Sequence, residues 1–331
     1  MKLRDVAAHS GVSLGTISKY INGGVVKEKT RQKIEEAIEK LEYKPNFIAK
    51  GLRNAKTFTV GVLMSKLNSP FNSVIISALE EYLLPLGYSV IVSECHESEM
   101  IEIEKINFLL RHMVDGIVIM PYASSGKQIE AIQESKTPFV VIDQLLGGYG
   151  TDGIVLDNTA AIEEPAEVLI KMNHRDIAII TGNMDLYTSK GRFAGYEKVM
   201  NRHHIPLRDE YIRDGNYSIS GGYATVLELF SLKKPPSALI VSNYDMTIGA
   251  VLAIHFLNIT IPDQLSLIGF DDFPPVNVVN PPLAVMSQPM VEMGRSAARL
   301  LFRRINGDYS DYPEIITHKA NMKLTESIKP L

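Results

Sequence analysis

A single cysteine, Cys95, is all that the 331-residue chain carries. One thiol excludes an internal disulfide framework and a cysteine-rich metal cluster. Its expected place is the core, as a small apolar side chain and not a nucleophile. No apolar run approaches the ~18 residues that a membrane span needs. The opening residues Met1-Lys2-Leu3-Arg4-Asp5 lack the apolar stretch of a signal peptide, so the expected compartment is the cytoplasm. There is no short-period repeat, no Gly-x-Ser-x-Gly elbow and no Gly-Lys-Ser/Thr phosphate loop. Catalytic residues, metal sites and cofactors are accordingly not expected. The segment Gly148-Tyr149-Gly150-Thr151-Asp152-Gly153 fits the dinucleotide fingerprint formally. The strand-like Ile154-Val155-Leu156 follows it, where the fingerprint needs a helix N-terminus for the pyrophosphate, so the segment reads as a loop. His203-His204 has no carboxylate or third ligand at metal spacing and reads as a surface pair ending a helix.

What is present suits a globular protein of two or three domains. Residues are 45% hydrophobic and 22% charged, enough for a sizeable core. The formal net charge of −4 hides an asymmetry. The first sixty residues carry twelve Lys/Arg against six Asp/Glu, and the remainder carries 22 against 32. A basic segment on an acidic body suggests a polyanion-binding end, provided that a recognition motif lies inside it.

Such a motif is there. Leu3, Val6 and Ala7 share one face of a short helix over residues 3–9, and Gly11 supplies the permissive backbone of a tight turn. Ser13 is a good N-cap for a second helix, Leu14–Ile21, with Ile17 and Ile21 on its inner face. A third amphipathic helix, about Thr30 to Leu41, closes a small core through Ile34, Ala37, Ile38 and Leu41. Two short helices crossing closely at a glycine turn fit a helix-turn-helix. Pro45 then breaks the chain just before a two-turn helix that Asn46 would cap, too short to persist alone in water.

The segments Val12-Ser13-Leu14-Gly15-Thr16-Ile17-Ser18-Lys19-Tyr20-Ile21-Asn22, Tyr43-Lys44-Pro45-Asn46 and Leu52-Arg53 resemble the headpiece and hinge of the lactose/galactose repressor family of bacterial transcription regulators. The resemblance implies base reading by Leu14, Gly15 and Lys19, and backbone contacts by Thr16, Ser18 and Asn22, with Ser13 beside them. It implies a hinge helix that includes Asn46, Ala49, Lys50, Leu52 and Arg53. Ala49 and Leu52 would enter the minor groove, with Leu52 as the apolar wedge that kinks the duplex. Four positions depart from the family pattern. Gly15 offers no side chain to a base edge, and Lys19 lacks the flat fork of the commoner arginine. Lys27 stands where a serine usually caps the third helix. Gly51 lies inside the hinge helix and should cost it ~1 kcal/mol relative to alanine, which makes its order dependent on DNA.

Beyond Lys56-Thr57, apolar runs alternate with amphipathic stretches. Strands are expected at Phe58–Met64, Ser89–Ser93, Gly116–Met120 and Phe139–Ile142, then at Asp176–Thr181, Ala238–Ser242, Leu265–Gly269 and Leu283–Ser287, separated by helices such as Val74–Leu86 and Glu102–His112. Alternation of this kind implies parallel sheets covered on both faces, and two series imply two subdomains. The expected fold is thus an α headpiece followed by a periplasmic-binding-protein-like core of two doubly wound α/β subdomains. Asp115-Gly116-Ile117-Val118, His174-Arg175-Asp176-Ile177-Ala178, Gly191-Arg192-Phe193-Ala194-Gly195-Tyr196 and Leu267-Ile268-Gly269-Phe270-Asp271-Asp272 resemble the same family there. The resemblance implies a headpiece over 1–44, a hinge over 45–57 and a core over 58–331. Within that core the first subdomain takes 58–156 plus 289–317 and the second 157–288 plus 318–331.

Open parallel sheets bind ligands at the carboxyl ends of their strands. Polyol recognition needs bidentate polar groups and a flat apolar face. By resemblance Arg192 clamps effector hydroxyls or a carboxylate, and Asp271 accepts from a hydroxyl. Asp143 is the matching acid of the other lobe, while Tyr217 and Phe71 sit at aromatic positions. Asn243 and Asp245 flank Tyr244, which leaves open which of the two faces the ligand. Each also has a plainer reading, since a carboxylate ending a strand often caps the next helix and an arginine often pairs with a structural acid.

The reading that joins these parts is a homodimeric DNA-binding regulator, expected to be a repressor. It would bind a pseudo-palindromic duplex operator and respond to a sugar or sugar phosphate, with no membrane partner. An enzyme on the same scaffold would leave the basic headpiece unexplained. A periplasmic sugar-binding protein would need a leader and no headpiece. The absence of a leucine heptad at the end of the chain predicts a dimer and not a tail-assembled tetramer.

Overall fold

The computed structural model describes residues 2–21, 24–43 and 56–331. It divides into two units, 1–57 and 58–331. In the first, helices α1 (Leu3–Ser10), α2 (Leu14–Ile21) and α3 (Glu28–Lys40) enclose Val6, Ile17, Ile34 and Ala37. Gly11 ends α1 in the left-handed region (φ 65°) and donates its N–H to the Ala7 carbonyl at 3.1 Å, a conformation that costs glycine little. The Ser13 hydroxyl accepts the Thr16 N–H at 3.3 Å and so caps α2 as expected. The third helix starts two residues earlier than expected, behind Lys27, which makes no side-chain cap. The Tyr20 hydroxyl donates to the Glu35 carboxylate and ties α2 to α3, while Arg31 holds the same carboxylate from one turn away on α3.

The second unit holds two six-stranded sheets. Its elements run β1 (Thr59–Met64), α4 (Pro70–Leu83), β2 (Ser89–Glu94), α5 (Glu99–Arg111), β3 (Gly116–Ile119), α6 (Lys127–Ser135), β4 (Phe139–Ile142) and β5 (Gly153–Leu156). The second series is α7 (Ala160–Lys171), β6 (Ile177–Thr181), α8 (Tyr187–Arg202), β7 (Ile212–Asp214), α9 (Ile219–Ser231), β8 (Ala238–Val241), α10 (Tyr244–Phe256), β9 (Ser266–Phe270), α11 (Pro274–Asn277) and β10 (Ala284–Ser287). Helix α12 (Met290–Ile305) and strands β11 (Ile315–His318) and β12 (Asn321–Lys323) complete the chain.

Strand order is β2-β1-β3-β4-β5-β11 in one sheet and β7-β6-β8-β9-β10-β12 in the other. All pairs are parallel except β10–β12. The two lobes therefore repeat one plan. The chain passes from the first sheet to the second after Leu156, returns to the first lobe's core with α12 and leaves it again after β11. Each sheet is buried on both faces, which is why its strands read as continuous apolar runs. In β1, Val60, Val62 and Met64 enter one core and Leu63 the opposite one. In the second lobe, α9 and α10 cross so closely that a Cβ on Gly222 would lie 2.2 Å from the Met246 carbonyl oxygen. A Cβ on Gly249 would lie 2.0 Å from that of Ile219, so both positions exclude any larger residue.

Three expectations are corrected. Helix α4 begins at Pro70, not Val74, because proline fits the first helical position, where no N–H is needed; it gives way to a 3-10 turn at Leu84–Leu86. Helix α5 starts at Glu99, capped by the Ser98 hydroxyl, three residues before the expected Glu102. Strands β7, β11 and β12 were not among the expected strands; all are three or four residues long, and β5 is the strand-like run Ile154-Val155-Leu156 with Gly153 added at its start. Cys95 is fully buried, and burial pushes its thiol up to about 11, so it stays protonated as expected of a core residue. Among the described residues no helix is long and apolar enough to cross a membrane.

Candidate functional sites

Two surfaces carry the expected site residues. On the headpiece, Ile17 faces the core, and Ser13, Leu14, Gly15 and Lys19 lie on the exposed face of α2, with Thr16 and Ser18 half-buried. Asn22, Asn46, Ala49, Lys50, Leu52 and Arg53 lie outside the described residues, as does the expected hinge helix with Gly51. Nothing lies within 4 Å of a Cβ built on Gly15, so packing does not require glycine there. Gly15 is the second residue of α2, and a helical glycine without a packing reason costs up to ~1 kcal/mol against alanine. Gly15→Ala is therefore expected to leave the headpiece folded or slightly stabilised while changing operator affinity or preference. Fluorescence anisotropy on operator DNA beside thermal melting checks this; an unaltered operator profile would remove Gly15 from the interface.

In the second unit, one cavity of about 500 Å³ opens between the lobes at the carboxyl ends of their strands. Phe71, Asp143, Arg192, Tyr217, Asn243, Asp245 and Asp271 all line it. Two of these are differently placed from the sequence expectation. Phe71 belongs to the first turn of α4 and not to a loop. Arg192 sits in the second turn of α8, which starts at Tyr187, and does not open the helix. Asn243 and Asp245 both reach the cavity, but the Asn243 Oδ1 caps α10 by accepting the Met246 N–H at 2.8 Å.

Asp143 and Asp271 are counterparts. Asp143 follows β4 and Asp271 follows β9, the equivalent strands of the two sheets. Their φ values are 69° and 70°, in the left-handed region that non-glycine residues rarely adopt. The Asp143 N–H donates to the Ile154 carbonyl at 2.9 Å and the Asp271 N–H to that of Met286 at 2.7 Å, each on the adjacent strand. Both lobes thus turn a carboxylate from the sheet end toward the cavity with the same backbone device. Strained backbone of this kind gathers at ligand sites.

Arg192 is 4% exposed and held from three sides. Its Nε donates to Asn158 Oδ1 at 2.9 Å, its Nη1 to the Ser242 carbonyl at 2.5 Å, and its guanidinium stacks 4.3 Å from the Phe270 ring centroid. Burial pushes the Asp143 carboxyl up, against the attraction of Arg192. It also raises Asp245, where Lys66 opposes the shift and Glu97 adds to it. Asp271 is pushed up to about 6 by burial; the Gln288 amide and Arg192 pull it down, while Asp143 and Asp245 push it further up.

Folded Asp271 therefore holds its proton to higher pH than the unfolded chain does. Its contribution to stability is full below about pH 4, and it is lost as pH rises through about 6. A ligand hydroxyl is a better match to the ionised form. Affinity for a hydroxyl-donating ligand is expected to rise across about pH 6, and Asp271→Asn to flatten that step. Titration calorimetry between pH 5 and 8 reads it, and a pH-flat wild type would refute the assignment.

Several lining residues carried no sequence signal. Gln144, Thr188 and Gln288 are buried polar side chains outside any periodic pattern. Gln144 of the first lobe donates through Nε2 to Thr188 Oγ1 at 3.0 Å and accepts the Tyr187 N–H at 3.0 Å, so it bridges the lobes. The Tyr217 hydroxyl is 3.0 Å from Thr188 Oγ1 and 2.6 Å from Ser189 Oγ. The Tyr217 ring fills the space over Gly182, where a Cβ would meet it at 2.1 Å. A second cavity of about 350 Å³ adjoins the first and shares Tyr122, Gln144 and Leu186 with it.

His203 ends α8 as expected, but the fold brings the Glu167 carboxylate to it at 2.9 Å, a partner that sequence spacing did not show. No three potential metal ligands gather among the described residues. The expected loop runs through Gly148 and Gly150 into strand β5.

Known proteins resemble this chain in both of its units. Residues 2–46 match the model of bacterial regulatory proteins of the lacI family, and residues 166–322 match that of the periplasmic binding protein-like domain. A probable HTH-type transcriptional regulator, EndR, of Paenibacillus polymyxa is 33% identical across 95% of this chain and 93% of its own length. Catabolite control protein A of Priestia megaterium is 29% identical across 93% of each. The ribose operon repressor of Haemophilus influenzae is 27% identical across 99% of each. Among solved structures, the Lac repressor bound to ONPG superposes with a TM-score of 0.87 at 25% identity, and a complex of the regulator CelR with cellobiose with 0.77 at 25%; each covers 99% of both chains.

Proposed function

This chain belongs to the lacI family of bacterial regulatory proteins, and on that premise we propose that it is a homodimeric repressor of carbohydrate-utilisation genes, with a carbohydrate in the interlobe cavity setting its operator affinity. It is a DNA-binding transcription regulator and not an enzyme, as its relatives are. Its partners are duplex operator DNA, a small-molecule effector and a second copy of the chain. A regulator of this kind works in the cytoplasm, where the chromosome is.

The observation that carries the effector reading is the convergence of Asp143, Asp271 and Arg192 on one cavity between two lobes. Carboxylates from opposite lobes bind one ligand best in one arrangement of those lobes. A ligand with such a preference shifts the conformational equilibrium. Whatever it does to operator affinity, operator must do reciprocally to the ligand's affinity, typically by ~1–3 kcal/mol. For the DNA surface, support comes from Ser13, Leu14, Gly15 and Lys19 on the open face of α2, a helix whose other face holds the headpiece core. For the dimer, support comes from Leu252 and Phe256, one turn apart and exposed on α10 at 49% and 65%.

The decisive experiment is selection from randomised duplex DNA at fixed physiological salt, with and without pooled carbohydrates. Salt is held constant because phosphate contacts make affinity steeply salt-dependent. Enrichment of a pseudo-palindrome that the pool diminishes is the expected outcome for an inducible repressor. Enrichment only with the pool would make the carbohydrate a co-repressor. No enrichment in either arm would defeat sequence-specific binding.

A further inference from the structure

We infer that the effector is a hydroxyl-rich molecule without an anionic group, and that the cavity rejects phosphorylated and carboxylated sugars. The inference rests on the carbohydrate reading above and deepens it.

The charges lining the cavity set the first limit. Glu97 is paired with Lys66 at 2.7 Å, and Glu99 accepts from Ser125 at 2.7 Å with Lys127 at 3.5 Å. Setting these aside, the lining presents Asp143, Asp185, Asp245 and Asp271 against the one guanidinium of Arg192. Part of that guanidinium is already committed. Its Nε and Nη1 are engaged by Asn158 and the Ser242 carbonyl, and one face lies on Phe270. An added phosphate would meet carboxylates from both lobes, and like charges in a partly desolvated site repel strongly.

The second limit comes from open hydrogen-bonding capacity. Asp143 Oδ1 and Gln288 Oε1 are buried acceptors without a hydrogen-bond partner, and both residues line the cavity. Gln288 is 8% exposed, and its amide nitrogen is already given to Asp271 Oδ1 at 2.8 Å. A buried acceptor left unmatched is costly, so both atoms call for donors from the ligand. Hydroxyl groups supply donors; phosphate and carboxylate oxygens at neutral pH supply only further acceptors. Charge and donor count therefore point the same way from different atoms.

Calorimetric titration of the full-length protein with matched sugars tests this. The panel is glucose, galactose, ribose and cellobiose, the corresponding sugar phosphates and glucuronate. At least one neutral sugar should bind, with its phosphate or uronate weaker by about a hundredfold. An anionic sugar that binds as tightly as its neutral parent overturns the inference and leaves the carbohydrate reading standing. If no sugar of any charge binds, the carbohydrate reading falls and takes the inference with it. Asp245→Asn is the internal check. It should narrow the gap between neutral and phosphorylated ligand by about tenfold. An unchanged gap in a protein that melts normally would mean that this carboxylate does not enforce the rejection.

Discussion

Arg192→Ala should uncouple effector from DNA: operator affinity without effector stays within about twofold of wild type, and the several-fold to hundredfold change on adding effector disappears. The headpiece has its own core of Val6, Ile17, Ile34 and Ala37, so a change at Arg192 does not reach the residues that fold it. Within the second unit the loss is local and severe. The Asn158 carboxamide and the Ser242 carbonyl lose their donor, and Phe270 loses the guanidinium stacked on it. Asp143 and Asp271 lose the cation that holds their carboxyls down, so both move further toward the neutral form. Arg192→Lys should fare little better, because one ammonium cannot present a planar fork to two acceptors while stacking on a ring. Anisotropy titrations of labelled operator, with and without effector, give the result directly. Loss of operator binding together with effector response, in a protein that melts early, would make Arg192 a structural residue and sink the assignment.

The largest stability effect is expected far from the cavity. Arg304 and Asp152 form a buried two-pronged ion pair, with Nε to Oδ2 at 2.7 Å and Nη2 to Oδ1 at 3.0 Å, and side-chain exposures of 1% and 0%. Its remaining valences are filled: Arg304 Nη1 donates to the Asp308 carbonyl at 2.6 Å, and Asp152 Oδ1 accepts the Glu314 N–H at 2.7 Å. The pair thereby fastens the segment entering β5 to the end of α12 and to the segment entering β11. Asp152→Ala leaves the buried guanidinium with only Glu314, at 3.9 Å, as a counter-ion and is expected to cost ~3–5 kcal/mol. Replacing both residues by apolar ones of similar volume should cost much less, since no unpaired charge remains. Urea unfolding of the two variants distinguishes the cases. A single variant that loses under about 1 kcal/mol would show that water reaches the pair.

The second unit was legible where burial is two-sided. Runs such as Val140-Val141-Ile142 and Leu267-Ile268 stand out because both faces of each sheet are covered. An acid directly after such a run, as with Asp143 and Asp271, is therefore visible as a strand-end residue in the sequence alone. The short outer strands β7, β11 and β12 carry half-exposed or exposed residues that resemble loop composition. Helix starts were misjudged at Pro70 and Tyr187 because the first residues of each helix, Pro70 to Ser73 and Tyr187 to Gly191, read as loop. Gln144, Asn158 and Gln288 gave no signal, since a polar residue in a connection acquires its partner only when distant segments meet. Which of Asn243 and Asp245 serves the cavity was open for the same reason. The answer depends on the Asn243 Oδ1 being taken by a backbone N–H.

The matched aspartates, each turned out of its sheet by the same positive φ and the same N–H to a neighbouring strand, also bear on how a ligand is oriented. Two identical anchors facing each other define a site with near-twofold degeneracy: a ring with hydroxyls on opposite edges could be seated either way round with equal satisfaction of the aspartates. Recognition of one orientation must then come from what the duplication did not copy. Arg192 with Phe270 beneath it, Tyr217 and Asp245 all belong to the second lobe. The first lobe and its mirror-like carboxylate supply grip, and these unmatched residues supply handedness. Changes of effector preference within this architecture should therefore collect on the second lobe's wall, with both anchors left in place.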